Sequence, residues 1–351
     1  MKINRHILDN GLRLVHSQDE STQMVALNVL YNVGARDEHP EHTGFAHLFE
    51  HLMFGGSVNI PDYDMPLQLA GGENNAWTNN DITNYYLTVP KPNVETAFWL
   101  ESDRMLELAF SEQSLEVQRG VVMEEFKQRC LNQPYGDVGH LFRPLAFRVH
   151  PYRWPTIGKE LSHIEQATLD EVKSFFYRFY APNNAVLAVT GNISWDETVK
   201  LTEKWFAPIP RRDVPVRQLP QEPEQTQERR LTVERNVPLD ALFMGYHMCS
   251  REGADYYAFD ILSDILSNGR SSRLNRRLVQ EQNIFSGIDA YISGTRDAGL
   301  LQISGKPAAG VSLEQAEAAV RKELEELQRS PVDGQELEKV KNKFESTQIF
   351  G

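Results

Sequence analysis

HTGFAHLFEHLMFGG, residues 42 to 56, is the stretch on which the reading of this chain turns. In a helix, His47 and His51 lie one turn apart on a single face, with Glu50 beside them. Phe45, Leu48, Phe49, Leu52 and Met53 form a separate apolar stripe at helical spacing. The stripe can anchor the helix while the two imidazoles grip one ion. Zinc suits them, because imidazole nitrogen binds it at about 2.0 to 2.1 Å. The competing reading is a pair of solvated histidines on an amphipathic helix. The glutamate between them and the apolar surroundings favour the metal.

A catalytic zinc needs a third protein ligand and an open position for water. The best donor segment is SLEVQRGVVMEEFKQR, residues 114 to 129, with Glu124 and Glu125 in a helical pattern. Neighbours in a helix point about 100° apart, and spacing alone does not choose between them. A structural site would usually be closed by four protein ligands, and no fourth donor stands out. His39 and His42 lie in the turn-like DEHPEHT and read as solvated loop residues. Cys130 and Cys249 have no partner at metal-ligand spacing.

Bulk properties narrow the function classes. A chain of 351 residues predicts about two domains, and 40% hydrophobic residues suffice for sizeable cores. No run approaches the ~20 apolar residues of a membrane span, so no membrane is expected. MKINRHILDNGLRLVHS has no continuous apolar core after its basic residues, so no signal peptide is read. With only two cysteines the expectation is a reducing cytoplasm, or the periplasm for a chain already trimmed of its leader. The net charge of -13 argues against a nucleic-acid partner, which needs a basic face.

Farther out, residues 207 to 230 hold five prolines, many charges and no apolar periodicity, and read as an extended linker. Before it, strand-like runs (VALNVLYNV, NYYLTVP, NAVLAVTGNI) alternate with helical ones (VETAFWLESDRMLELA, LDEVKSFFYRFYA). The two sides resemble copies of one unit. Laying Phe45–Leu52 over Phe259–Leu266 keeps Phe, Leu and Leu in register, while His47 falls on Ile261, Glu50 on Asp264 and His51 on Ile265. The second copy thus keeps a helix and lacks the metal-type side chains. The expected organisation is a zinc-bearing domain over 1–210, a linker over 211–230 and a homologous second domain over 231–351. PVDGQELEKVKNKFES, from Pro331, resembles FSEQSLEVQRGVVMEEF, from Phe110, and on that comparison the second domain is expected to be incomplete at its C-terminus.

HLFEH is the inverted zinc motif H-x-x-E-H of the inverzincins. With it, NVGARDEHPEHTGFAHLFEHLMFGGS, GGENNAWTNNDITNYY, RGVVMEEF, HPYRWPTIG and YAPNNAVLAVTGNI follow in order. The chain resembles the pitrilysin, insulinase and mitochondrial processing peptidase family over nearly its whole length, as a bacterial-type two-domain subunit. The resemblance implies an α+β fold of two homologous mixed domains, each an antiparallel-type sheet packed with helices. It implies one zinc ion, with His47, His51 and Glu125 as ligands and Glu50 as general base. It further implies a zinc-dependent endopeptidase acting on short or unfolded polypeptides. Segment 71 to 86 resembles the family's substrate-binding strand, which makes Asn75, Ala76 and Thr78 the expected peptide contacts.

Two departures from the family pattern bear on function. Where the family usually has a supporting glutamate, seven residues before the third ligand, this chain has Gln118. Where many members bring an arginine and a tyrosine to hold the substrate carbonyl, alignment from Ser271 gives Leu278 and Phe285. The first reading is therefore a peptidase paired with a second, related two-domain chain as a heterodimer, with a homodimer as the alternative. The second reading is a non-catalytic partner or core subunit, in which the motif's His or Glu residues would be expected to be lost.

Overall fold

The computed structural model describes residues 2 to 350. It divides into two compact units, Met1–Glu228 and Arg229–Gly351. In the first unit, strands β1 (Asn4–Ile7), β2 (Arg13–Gln18) and β3 (Met24–Tyr31) precede helices α1 (Phe45–Leu52) and α2 (Asp64–Leu69). Strands β4 (Glu73–Thr78) and β5 (Thr83–Pro90) come next. Helices α3 (Val94–Leu106), α4 (Glu112–Phe126), α5 (Val138–Ala146), α6 (Leu161–Glu165) and α7 (Leu169–Phe179) follow. Strand β6 (Ala185–Gly191) and helix α8 (Trp195–Phe206) complete its regular elements.

The six strands form one sheet in the order β1-β2-β6-β3-β5-β4. All pairs are antiparallel except β2 with β6. On β3, Val25, Leu27, Val29 and Tyr31 alternate with half-buried residues, so one face of the sheet is buried and the other is not. The buried face packs with α1, α3 and α7 in one apolar core. Strand β4 has β5 on one side and no strand on the other, so it is an edge strand.

In the second unit, β7 (Leu242–Met248), α9 (Tyr256–Ser267), β8 (Phe285–Ile292), β9 (Gly299–Pro307), α10 (Leu313–Arg329) and α11 (Gly334–Phe350) follow in order. Its three strands pair antiparallel in the order β7-β9-β8. That is the arrangement of β3-β5-β4, with α9 standing after β7 as α1 stands after β3. The α+β class and the repeat of one mixed unit are thus features of the backbone. Leu278 and Phe285, the residues at the expected Arg and Tyr positions, are both buried in the second unit's core.

The proline-rich stretch has no helix or strand from residue 210 to residue 230, yet its first part is not a free tether. Arg212 donates to the carbonyls of Tyr180 and Leu106, at 2.7 Å each. Arg217 bonds Asp37 and the Asn32 carbonyl. The Glu222 carboxylate accepts the backbone N–H groups of Arg148, Val149 and His150 at 2.8 to 3.0 Å. Three charged side chains thereby tie this stretch to the first unit, Arg212 and Glu222 each through several backbone groups and Arg217 through one, and the segment through Glu228 belongs to the first unit.

Candidate metal centre

Helix α1 begins where the chain reverses at Gly44, whose φ of 90° lies in the left-handed region. A Cβ there would stand 2.6 Å from Ile164 Cδ1 and 2.9 Å from the Ile157 carbonyl oxygen. The N-terminal N–H groups of the helix need acceptors, and Glu38 supplies them. Its buried carboxylate accepts from the amides of Gly44 at 3.0 Å and Ala46 at 2.9 Å. Burial pushes the Glu38 carboxyl up to about 8, against the pull of those two bonds. Phe45, Leu48, Phe49 and Leu52 are buried, and Phe49 stacks on Phe175 and Tyr180 at centroid distances of 5.1 Å each. This packing fixes the rotation of α1 about its axis, and with it the direction of His47 and His51.

Helix α4 opens with Ser111, whose hydroxyl accepts the Ser114 amide at 3.0 Å. Leu115, Val122 and Phe126 seat it, and it packs beside α1. That seating separates the two glutamates. Glu124 is 63% exposed and pairs with Lys127 at 2.6 Å. Glu125 is 19% exposed and faces α1, its Oε2 lying 3.4 Å from Nε2 of both His47 and His51. One ligand atom from each of His47, His51 and Glu125 lies within 4.8 Å of the others, and this is the single such cluster among the described residues.

The donor set fits zinc. Two imidazoles and one carboxylate are a catalytic ligand set that leaves a position open. A ligating imidazole must be neutral, and burial holds His47 down at about 4 despite the nearby Glu125 carboxylate. With His47 Nε2 turned to the cluster, its buried Nδ1 has no hydrogen-bond partner. Arg129, one turn beyond Glu125, donates to the other carboxylate oxygen, Oε1, at 2.8 Å.

Glu50 stands next to His51 and outside the three-atom cluster. Its carboxyl is raised by burial, with the Thr78 hydroxyl pulling the other way. Helix α1 packs against β4, the edge strand that carries Thr78. Ala76 is half-buried on the same side of β4, packed against the core, whereas Asn75 is exposed and its side-chain oxygen accepts the Ala76 amide at 2.8 Å. Gln118 is half-buried on α4, and among the described residues its side chain makes no hydrogen bond. His39 and His42 lie at the start of the motif segment, where His42 pairs with Glu171 at 3.2 Å, outside the metal cluster.

Sequence reasoning missed Glu38 and Arg129. The signal for Arg129 was available, since an acid and a base at i and i+4 on a helix are neighbours. For Glu38 there was none, because its contact with the helix start depends on the turn at Gly44.

Comparison with known proteins gives a consistent picture. Residues 13–138 match the family described as Insulinase (Peptidase family M16). Residues 166–344 match the description Peptidase M16 inactive domain. The zinc protease PqqE of Helicobacter pylori is 30% identical over 340 residues, spanning 95% of this chain and 76% of the relative. An uncharacterised zinc protease of Bacillus subtilis, YmxG, is 26% identical over 347 residues, 98% of this chain and 83% of the relative. The crystal structure of a protease from Helicobacter pylori superposes with a TM-score of 0.93 at 29% identity, covering 99% of this chain and 85% of that one.

Proposed function

Because the chain belongs to peptidase family M16, the family of pitrilysin and insulinase, we propose that it is a zinc-dependent endopeptidase acting on short or unfolded polypeptides. The observation that carries this reading is the convergence of His47, His51 and Glu125 beside a Glu50 that is not itself part of the cluster. Zinc held by those three residues would supply Lewis acidity and bring the pKa of a water towards neutrality. Glu50 would serve as the base beside that site, taking a proton from a water and giving it to the leaving amine. Its raised carboxyl suits both halves of that task, because it binds a proton more readily than an exposed glutamate. Strand β4 receives the peptide: its free edge can accept an extended chain through main-chain hydrogen bonds, and Asn75, Ala76 and Thr78 line it. No helix among the described residues is long and apolar enough to cross a membrane.

The burial of Leu278 and Phe285 favours one extension of this reading. Neither can hold a substrate carbonyl from the core, so a second, related two-domain chain supplies that function in a heterodimer.

The test is a peptide-cleavage assay on the purified chain, alone and with a candidate partner, with and without chelator. Cleavage should stop on chelation and return with zinc. Glu50→Gln should abolish cleavage while retaining bound zinc, whereas His51→Ala should lose both. If Glu50→Gln releases zinc as readily as His51→Ala does, the roles are wrongly assigned.

A further inference from the structure

We propose that Arg129 is the positioning residue for the third ligand, and that it does the supporting work which the family pattern assigns to the position of Gln118. The inference rests on the reading of His47, His51 and Glu125 as ligands. Two carboxylate oxygens must be disposed of at Glu125. Oε2 faces both histidines at 3.4 Å, and Oε1 accepts from Arg129 Nη2 at 2.8 Å. A glutamate with one oxygen so tethered loses that hydrogen bond when its carboxylate swings towards solvent, so the bond favours the orientation that faces the histidines. The alternatives nearby are spoken for or idle. Lys127 is committed to Glu124 at 2.6 Å. Gln118 lies seven residues earlier, within about 20° of the Glu125 direction, yet its side chain bonds nothing among the described residues.

The backbone that carries Arg129 is held. Residues Lys127–Leu131 continue α4 as a π-helical turn, closed by the Asn132 amide donating to the Lys127 carbonyl at 2.8 Å. Such turns change which side chains stack, and they recur at functional sites. Cys130 is buried in that turn, and the chain folds back so that Gly136 lies against the carbonyls of Arg129 and Cys130, where a Cβ would collide. The Arg129 side chain itself stands largely in solvent: it is 67% exposed. That exposure matters for the sign of the effect. A guanidinium near a cation also repels it, but an exposed charge acts through water, whereas the bond to Oε1 is local. Orientation of the ligand should therefore outweigh repulsion of the ion.

The test is zinc affinity of the full chain by competition with a chromophoric chelator, with the melting temperature of the metal-free protein as control. Arg129→Ala should weaken zinc binding by about 10- to 100-fold, the usual effect of removing a group that orients a metal ligand. The metal-free melting temperature should not move, because an exposed ion pair adds little stability. Arg129→Lys should recover part of the loss, since Nζ can still donate to Oε1, and Lys127→Ala should leave affinity unchanged. Wild-type or tighter affinity in Arg129→Ala overturns the proposal and leaves the three-ligand reading standing. So does an Arg129→Lys chain as weak as Arg129→Ala, or an equal loss in Lys127→Ala. Failure of the unaltered chain to bind zinc at all overturns both.

Discussion

Replacing Glu125 by Gln and, separately, Glu124 by Gln tests the centre at the point where two adjacent and identical side chains differ only in direction. Glu125 presents Oε2 at 3.4 Å to both imidazoles, so its amide analogue keeps the shape and loses the anionic donor. Structural zinc binding worth about 10 to 16 kcal/mol over four ligands is roughly 2.5 to 4 kcal/mol per ligand. At about 1.4 kcal/mol per factor of ten, losing one ligand predicts an affinity fall of about two to three orders of magnitude. Glu124 is 63% exposed, and its bond to Lys127 is a surface pair worth at most about 1 kcal/mol of stability and nothing to a metal on the other side of the helix. Chelator competition on the two variants, with metal content checked by mass spectrometry, reads the difference directly. Equal losses, or a larger one in Glu124→Gln, would mean that α4 is rotated from the orientation described and would refute the assignment.

Three further outcomes follow from the same geometry. Glu38 holds a proton in the folded state up to about 8, while an unfolded chain loses it near the ordinary value of 4.5, so its contribution to stability is full below the lower value and declines as pH rises through that window. The decline is at most about 1.4 kcal/mol per pH unit, and Glu38→Gln should flatten the melting temperature against pH; an unchanged slope contradicts the burial argument. Gly44→Ala places a Cβ in the left-handed region and against Ile164 and the Ile157 carbonyl, so it should cost upwards of about 1 to 2 kcal/mol and weaken zinc uptake, whereas a neutral result means the turn relaxes freely. Arg104 is buried in an ion pair with Glu101 and lies over the rings of Phe54, Tyr63 and Tyr85 at 5.2, 4.6 and 4.5 Å. Arg104→Ala strands that carboxylate, and the melting temperature should fall by at least about 6 °C, corresponding to about 3 to 5 kcal/mol; a fall of only a degree or two would mean Glu101 is neutralised at little cost.

What the sequence determined by itself is what local periodicity carries. His47 and His51 share a helix face because 3.6 residues make a turn, whatever lies around them. Strands β3, β5 and β6 and helices α3 and α7 coincide with runs whose apolar spacing was visible in the chain. The repeat of strand and helix in the second unit was likewise legible, because each copy carries its own pattern. The choice between Glu124 and Glu125 was of another kind. Both fit the helix, the family resemblance favoured the second, and only the packing of α4 beside α1 turns Glu125 towards the histidines and Glu124 to water. Tertiary structure also decided that β4 is an edge, since sheet order depends on which strands meet across long stretches of chain. It decided that Glu38 caps the motif helix and that Arg129 meets the Glu125 carboxylate. Each of these rests on side chains meeting in space, and a repeat along one helix or strand holds no information about which face its neighbour will cover.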